Sequence, residues 1–536
     1  MNRLIRSAVL VALLSCCIVS PVEAAENSAR LMPPDAMMYG EYRSPKVIFD
    51  LVEAWFKGMG GPMANALDEP LGELAQELGM ELKAFRAEAA KVKDVGIAIT
   101  GFEFDKGFAG MVLTADMSDT AKLRDAIAAK IKELSEEPVA TVAGVAIHGD
   151  GNETYACVAG DHAMLSTKLD LLKDAVGRLK GTHQGSLLES PRFRKYRAEL
   201  DPKATAVSFM DAQILRRMML DAQKENVEIA AVDAALDLKT VDCLISSLHV
   251  DGKTALAKYA VILSGENRTL NVFRTKSAAR SVTKFYSGDY GLVTAGTLVD
   301  GKAQWQGFID LMARVQAALG VERGDDDVLT EIGEFEETLQ IKLADELGNV
   351  LEYAVGIKAG KEGMQGGPDV LFAFKVKDVN QANAMMQKIE KVAKAEMDGM
   401  EIKEEEIQGV KVRSIDDAEA DSDYAYAFVG DTVLLSNHRA VVADALKCHA
   451  AGKCILDEKG AKKVLANLQV PNAKLILVNV TGFMPPDARN PHAPAPGMIG
   501  VTTVETDRRV DLVGDFSSFG DLIRLFFGMV MVGMGG

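Results

Sequence analysis

The chain has 536 residues, 48% hydrophobic and 26% charged, which is more than one core usually serves and excludes a mainly disordered protein. Its formal net charge is −17, so phosphate-rich duplexes and anionic membrane surfaces would repel it, and no basic run offsets that. The acidity is that of a soluble surface.

The first element is a leader. Arg3 and Arg6 precede an apolar stretch from Ala8 to Val19 that is too short to span a bilayer, and Pro21 breaks it. Val22-Glu23-Ala24 offers the small-x-small pattern of a signal peptidase site, so a signal peptide over residues 1–24 and export to the periplasm or outside the cell are expected. The alternative is lipid anchoring at Cys16, because Leu13-Leu14-Ser15-Cys16 resembles a lipobox, although Leu14 fits it poorly. No transmembrane segment is expected in the mature chain.

After the leader, alternation predicts a strand at Met37 to Tyr42, then an amphipathic helix ended by Gly58-Met59-Gly60-Gly61-Pro62. Helices at Leu67 to Leu78 and Glu81 to Ala90 follow. Val95 to Phe104 and Phe108 to Ala115 read as a hairpin, and Asp119 as the cap of a helix to Leu134. Strands are expected at Val142 to His148, Thr154 to Ala159 and Ala163 to Ser166, the last two joined at Gly160-Asp161. Two helices, a strand at Thr205 to Met210, and a hairpin turning at Asp251-Gly252 complete the series. Hairpins with interspersed helices indicate α+β with mostly antiparallel sheet.

The same series recurs. Tyr155 to Ser166 is matched by Ala425 to Ser436, Gly144-Val145-Ala146-Ile147 by Gly409-Val410-Lys411-Val412, and Met117-Ser118-Asp119 by Val376-Lys377-Asp378. Met38-Tyr39-Gly40-Glu41 is aligned with Tyr290-Gly291-Leu292-Val293, and Leu188 to Leu200 with Leu456 to Leu468. Order is kept throughout, so the expected organisation is two tandem repeats, 27–275 and 280–536.

Candidate chemistry is sparse. The polar residues shared by both halves are Asp119/Asp378, Asp161/Asp431 and Ser166/Ser436, all at helix-capping or turn positions. Ser281-Val282-Thr283-Lys284 fits the S-x-x-K of penicillin-recognising enzymes but lacks the accompanying elements and a helix opened by the serine. Gly58 to Gly61 and Gly533 to Gly536 do not join a strand to a helix, so neither is a phosphate cradle. Asp416 to Asp423 and Asp325-Asp326-Asp327 read as solvated acidic loops lacking the glycine and closing glutamate of a calcium loop. His148, His162, His249 and His438 lie in or beside strand-like runs and read as surface or edge residues. No catalytic, cofactor-binding or metal-ligating residue is expected. Export permits disulfides, and Cys448 and Cys454 flank a short loop that a bridge would clip; a metal site with His449 would need more ligands than the sequence offers there. Cys157 and Cys243 read as buried thiols or a second bridge. The apolar stretch Leu522 to Val532 and the 24 methionines leave a lipid or peptide groove open.

The opening Met32-Pro33-Pro34-Asp35-Ala36-Met37-Met38-Tyr39, the strand at Gly144, the Gly160-Asp161 hairpin and the Leu187-Leu188 to Phe193 segment are similar to those of exported bacterial proteins known as domain of unknown function 3352. The resemblance implies a bacterial envelope protein and brings no activity or catalytic residue. The expected function is a non-enzymatic exported binding or scaffolding protein. A carrier of a lipid or other apolar ligand and a hydrolase with an unrecognised site are the alternatives.

Overall fold

The computed structural model describes residues 28–43, 46–59, 67–103, 107–151, 154–199, 203–222, 227–252, 254–277, 280–319, 328–360, 363–396, 401–417, 422–468, 474–483, 498–506 and 508–517. The leader with Cys16, Asp325 to Asp327, the core of the 416–423 acidic run and the C-terminal apolar stretch lie outside them. The fold is α+β, and each of its two compact units contributes ten strands, paired antiparallel. Unit one holds residues 28–222 and 241–262, and unit two holds 227–240 and 263–517.

Unit one has strands β1 (Met38–Arg43), β2 (Asp94–Glu103), β3 (Gly107–Asp116), β4 (Ala140–Val142), β5 (Val145–Gly149), β6 (Tyr155–Ala159), β7 (His162–Ser166), β8 (Ala206–Asp211), β9 (Val241–Asp251) and β10 (Thr254–Leu263). Their pairings give the order β4-β5-β6-β7-β3-β2-β1-β8-β9-β10. Unit two has β11 (Leu292–Thr297), β12 (Val350–Gly360), β13 (Gly363–Val376), β14 (Glu401–Ile407), β15 (Val410–Asp417), β16 (Ser422–Val429), β17 (Thr432–Ser436), β18 (Lys474–Val478), β19 (Ile499–Thr506) and β20 (Arg509–Asp515). Their order is β14-β15-β16-β17-β13-β12-β11-β18-β19-β20, which is the order of unit one with ten added to each number.

Local detail follows the same rule. β4 and β5, expected as one strand, are a hairpin because Ala143 and Gly144 both take positive φ (47° and 81°). Gln408 and Gly409 do the same between β14 and β15 (52° and 74°), the geometry that two-residue hairpin turns require. After β3 the Met117 N–H bonds the Asp161 carbonyl at 2.7 Å, and at the end of β13 the Val376 N–H bonds the Asp431 carbonyl at 2.9 Å.

The alignment of the first strands needs correcting. β1 pairs Met38 with Ile99 and Met210, and β11 pairs Leu292 with Ile357 and Val478. Met38 therefore corresponds to Leu292, two residues beyond the expected Tyr290.

Each unit buries its own core. In unit one Leu31, Met32, Tyr39, Ile147, Cys157, Leu172, Phe193 and Phe209 meet over one sheet face. In unit two Phe285, Tyr286, Tyr290, Leu371, Leu434, Val442 and Leu477 do the same. Alternating strands supply one side, and the Leu169–Leu179 and Arg439–Ala451 helices cover it with apolar residues at helical spacing.

Candidate functional site

The shared serines hold backbone. Ser166 Oγ donates to the Met111 carbonyl at 2.7 Å and accepts from the Lys168 N–H at 3.1 Å. Ser436 Oγ donates to the Val370 carbonyl at 2.6 Å and accepts from the His438 N–H at 3.2 Å. Both sit two residues before the N-cap of the following helix, so they brace the strand-to-helix turn rather than the helix end itself. Asp378 is a true cap, accepting from the N–H groups of Asn380 and Gln381 at 2.8 and 3.2 Å. Asp119 is not: Thr120 holds the N-cap position, and the Asp119 carboxylate lies 3.0 Å from Lys93 Nζ. Asp161 and Asp431 pair with Arg124 and Lys375.

Immediately after Ser436 the units diverge in chemistry. Asn437 accepts from the Val370 N–H at 2.8 Å and donates to the Pro368 carbonyl at 2.9 Å, which fixes the chain against β13. His438 is thereby set between two strands. Its Nδ1 lies 3.1 Å from Asp423 Oδ1 on β16, and its Nε2 lies 3.9 Å from Asp369 Oδ1 on β13. Arg439 Nε lies 3.7 Å from the other Asp423 oxygen. Across the β12–β13 ladder, Asp369 stands opposite Lys358. Lys358 Nζ reaches Asp289 at 3.4 Å and Asp444 at 3.7 Å, and lies 5.3 Å from the centre of the Tyr290 ring. Burial raises the Asp369 carboxyl above its ordinary range, while Lys358 and His438 pull it back down.

The result is a row of alternating charges around one half-exposed imidazole. An imidazole between two carboxylates can hold or pass a proton. The nearby Ser436 hydroxyl is buried and engaged on both sides, so it is no nucleophile for that base. In unit one the ladder positions corresponding to His438 and Asp369 hold Lys168 and Gly110. Among the described residues no group of three or more His, Cys, Asp or Glu is placed to hold a metal ion.

The other candidates resolve plainly. Ser281 Oγ donates to Glu352 at 2.5 Å, while the Lys284 ammonium lies 5.3 Å from the Phe285 ring centre, so the S-x-x-K pair is not brought together. The bridge expected between Cys448 and Cys454 is not formed in the structure: both thiols are free, Cys448 donating to the Lys453 carbonyl at 2.7 Å and Cys454 lying 3.6 Å from the Asp457 carboxylate. Burial pushes Cys448 up to about 11. Cys157 and Cys243 are buried free thiols, six strand positions apart, pushed up to about 12 by burial. His148, expected to be a surface or edge residue, is buried against Ser135, with Nδ1 3.1 Å from its hydroxyl. An open cleft of about 580 Å³ is lined by Glu336, Glu337, Lys342, Asp345, Glu346 and Lys388, and its Glu336 and Glu346 already bond Lys342 and Gln381.

The described residues thus form a two-unit α+β chain whose units share one antiparallel strand order. The chain belongs to the family described as Protein of unknown function (DUF3352), whose model matches residues 92–398 and 357–508. No curated protein matches it. Solved structures similar to part of it include crystal forms I and IV of TP0453, at 12% and 11% identity and TM-scores of 0.25 and 0.24. These cover 45% and 46% of this chain, and 81% and 82% of those chains. Among the described residues no helix is long and apolar enough to cross a membrane.

Proposed function

We propose that the chain is an exported, non-enzymatic binding or scaffolding protein built from two copies of one α+β unit. The observation that carries this reading is the common strand order, together with the kind of polar residue the two units share. Ser166 and Ser436 bind backbone in the same way, and the Asp161 and Asp431 carbonyls accept from Met117 and Val376 in the same way. A unit kept twice for its chemistry would be expected to keep reactive groups twice. What corresponds here is turns, braces and core.

The experiment is in vivo crosslinking of the tagged full chain in its native envelope, set beside turnover assays with ester, amide and phosphoester chromogens. Saturable crosslinking to one partner with no turnover supports binding. Turnover abolished in His438→Gln would replace it with the second reading, acid–base chemistry at His438, which the Asp423–His438–Asp369 arrangement favours.

A further inference from the structure

The segment 28–37 enters unit one ahead of β1 and is part of its core. Ala29, Leu31, Met32, Ala36 and Met37 are all buried. The Leu31 carbonyl accepts from Arg178 at 3.1 Å, and the Met32 carbonyl from the Leu187 N–H at 3.0 Å. Room for the segment comes from Gly96 on β2, where a Cβ would lie 2.8 Å from Met32 Cε. Beneath it lies a buried polar network. Ser28 Oγ bonds Asp94 Oδ2 at 2.6 Å, Tyr39 donates to Glu41 at 2.9 Å, and Arg43 Nε bonds the other Glu41 oxygen at 2.7 Å.

Charge counting in this network is unbalanced. It contains one cation, Arg43, and two carboxyls, Glu41 and Asp94, all buried. Glu41 takes Arg43. Asp94 faces that same Arg43 across the β1 ladder but its hydrogen bond is to the Ser28 hydroxyl, its Oδ1 has no partner, and its cross-strand neighbour on β3 is another carboxylate, Asp116. A second buried negative charge there would have to share the one guanidinium with Glu41, and burial and Glu41 outweigh the help from Arg43 and Ser28, so the neutral acid is the form that fits.

We propose that segment 28–37 is a strap locked by a proton, its closed state requiring the neutral Asp94 carboxyl bonded to Ser28. The groups facing Asp94 are Glu41, Tyr39 and Arg43 on β1, Asp116 on β3 and Ser28 on the strap. Burial first, and then Glu41, raise Asp94 to about 8. The sign follows from linkage. An open strap returns Asp94 to its ordinary acidity near 3.8, so opening releases a proton between that value and about 8. Closure is complete below this window, weakens as pH rises through it, and stops changing above it.

The test is hydrogen exchange of the full chain from pH 5 to 9, corrected for the intrinsic base-catalysed rate. The opening constant of peptide 28–37 is expected to rise by up to about tenfold per pH unit and to level off near pH 8. Asp94→Asn, neutral at every pH, should flatten the profile. Glu41→Gln, which removes the adjacent negative charge and keeps a titrating Asp94, should bring the plateau to lower pH. A flat wild-type profile overturns the proposal. So does a rise shared equally by β6 and β7, which would mean unfolding of the whole unit.

Discussion

Single side chains set the stability of the turns. Removing the Ser166 or Ser436 hydroxyl deletes a bond to a strand carbonyl and strips the N–H of the following cap of its acceptor. Ser166→Ala and Ser436→Ala should each cost about 1–2 kcal/mol, read as a lowered denaturation midpoint at unchanged m-value. Thiol chemistry points the same way at Cys448. With its acidity pushed up to about 11 by burial, and then by its neighbour Cys454, it is almost wholly protonated at neutral pH. Alkylation by iodoacetamide at pH 7.5 should therefore be at least about tenfold slower in the native protein than after denaturation, measured by mass spectrometry of the 448–454 peptide. Labelling as fast in the native state would place the thiol in water.

The strand ladders show where packing is tight and where sequence could speak. Gly356 on β12 lies under the Tyr286 and Tyr290 rings, and a Cβ there would stand 2.7 Å from Tyr290 Cδ1. Gly356→Ala should destabilise unit two by about 1–3 kcal/mol through overpacking, seen as a drop in Tm. A neutral substitution would mean that the two rings move easily. The Ser166/Ser436 and Gly160/Gly430 correspondences were legible because a turn demands particular residues at fixed positions. The first strand was misaligned by two residues for a reason equally physical. Side chains alternate with period two, so a slip of two keeps every inward residue inward, and only the partners on β2 and β8 or β12 and β18 fix the register. The His438 cluster was illegible because Asp369, Asp423 and His438 come from β13, β16 and the turn after β17, with no local spacing to join them. The Ala143 and Gln408 turns were missed because neither residue advertises positive φ.

For the whole molecule, α+β architecture could be read from patterning and the family from the resemblance of short motifs, whereas the depth at which segment 28–37 is buried could not. A run of Met, Pro and Ala carries no periodic signal, and its place in the core depends on the notch at Gly96. Envelope protein should begin at Ala25 by N-terminal sequencing; a diacylglyceryl-modified Cys16 at the N-terminus would instead establish the lipid anchor.

The strand order has a mechanical consequence. β1, the first strand among the described residues, lies in the interior of its sheet, hydrogen-bonded to β2 on one side and β8 on the other. A load applied at the N-terminus, as by a membrane tether, would reach β1 through the buried strap and act along two ladders at once. An edge strand can be peeled one bond at a time, but this strand must shear many together. Freeing β1 therefore breaks hydrogen bonds on both of its flanks.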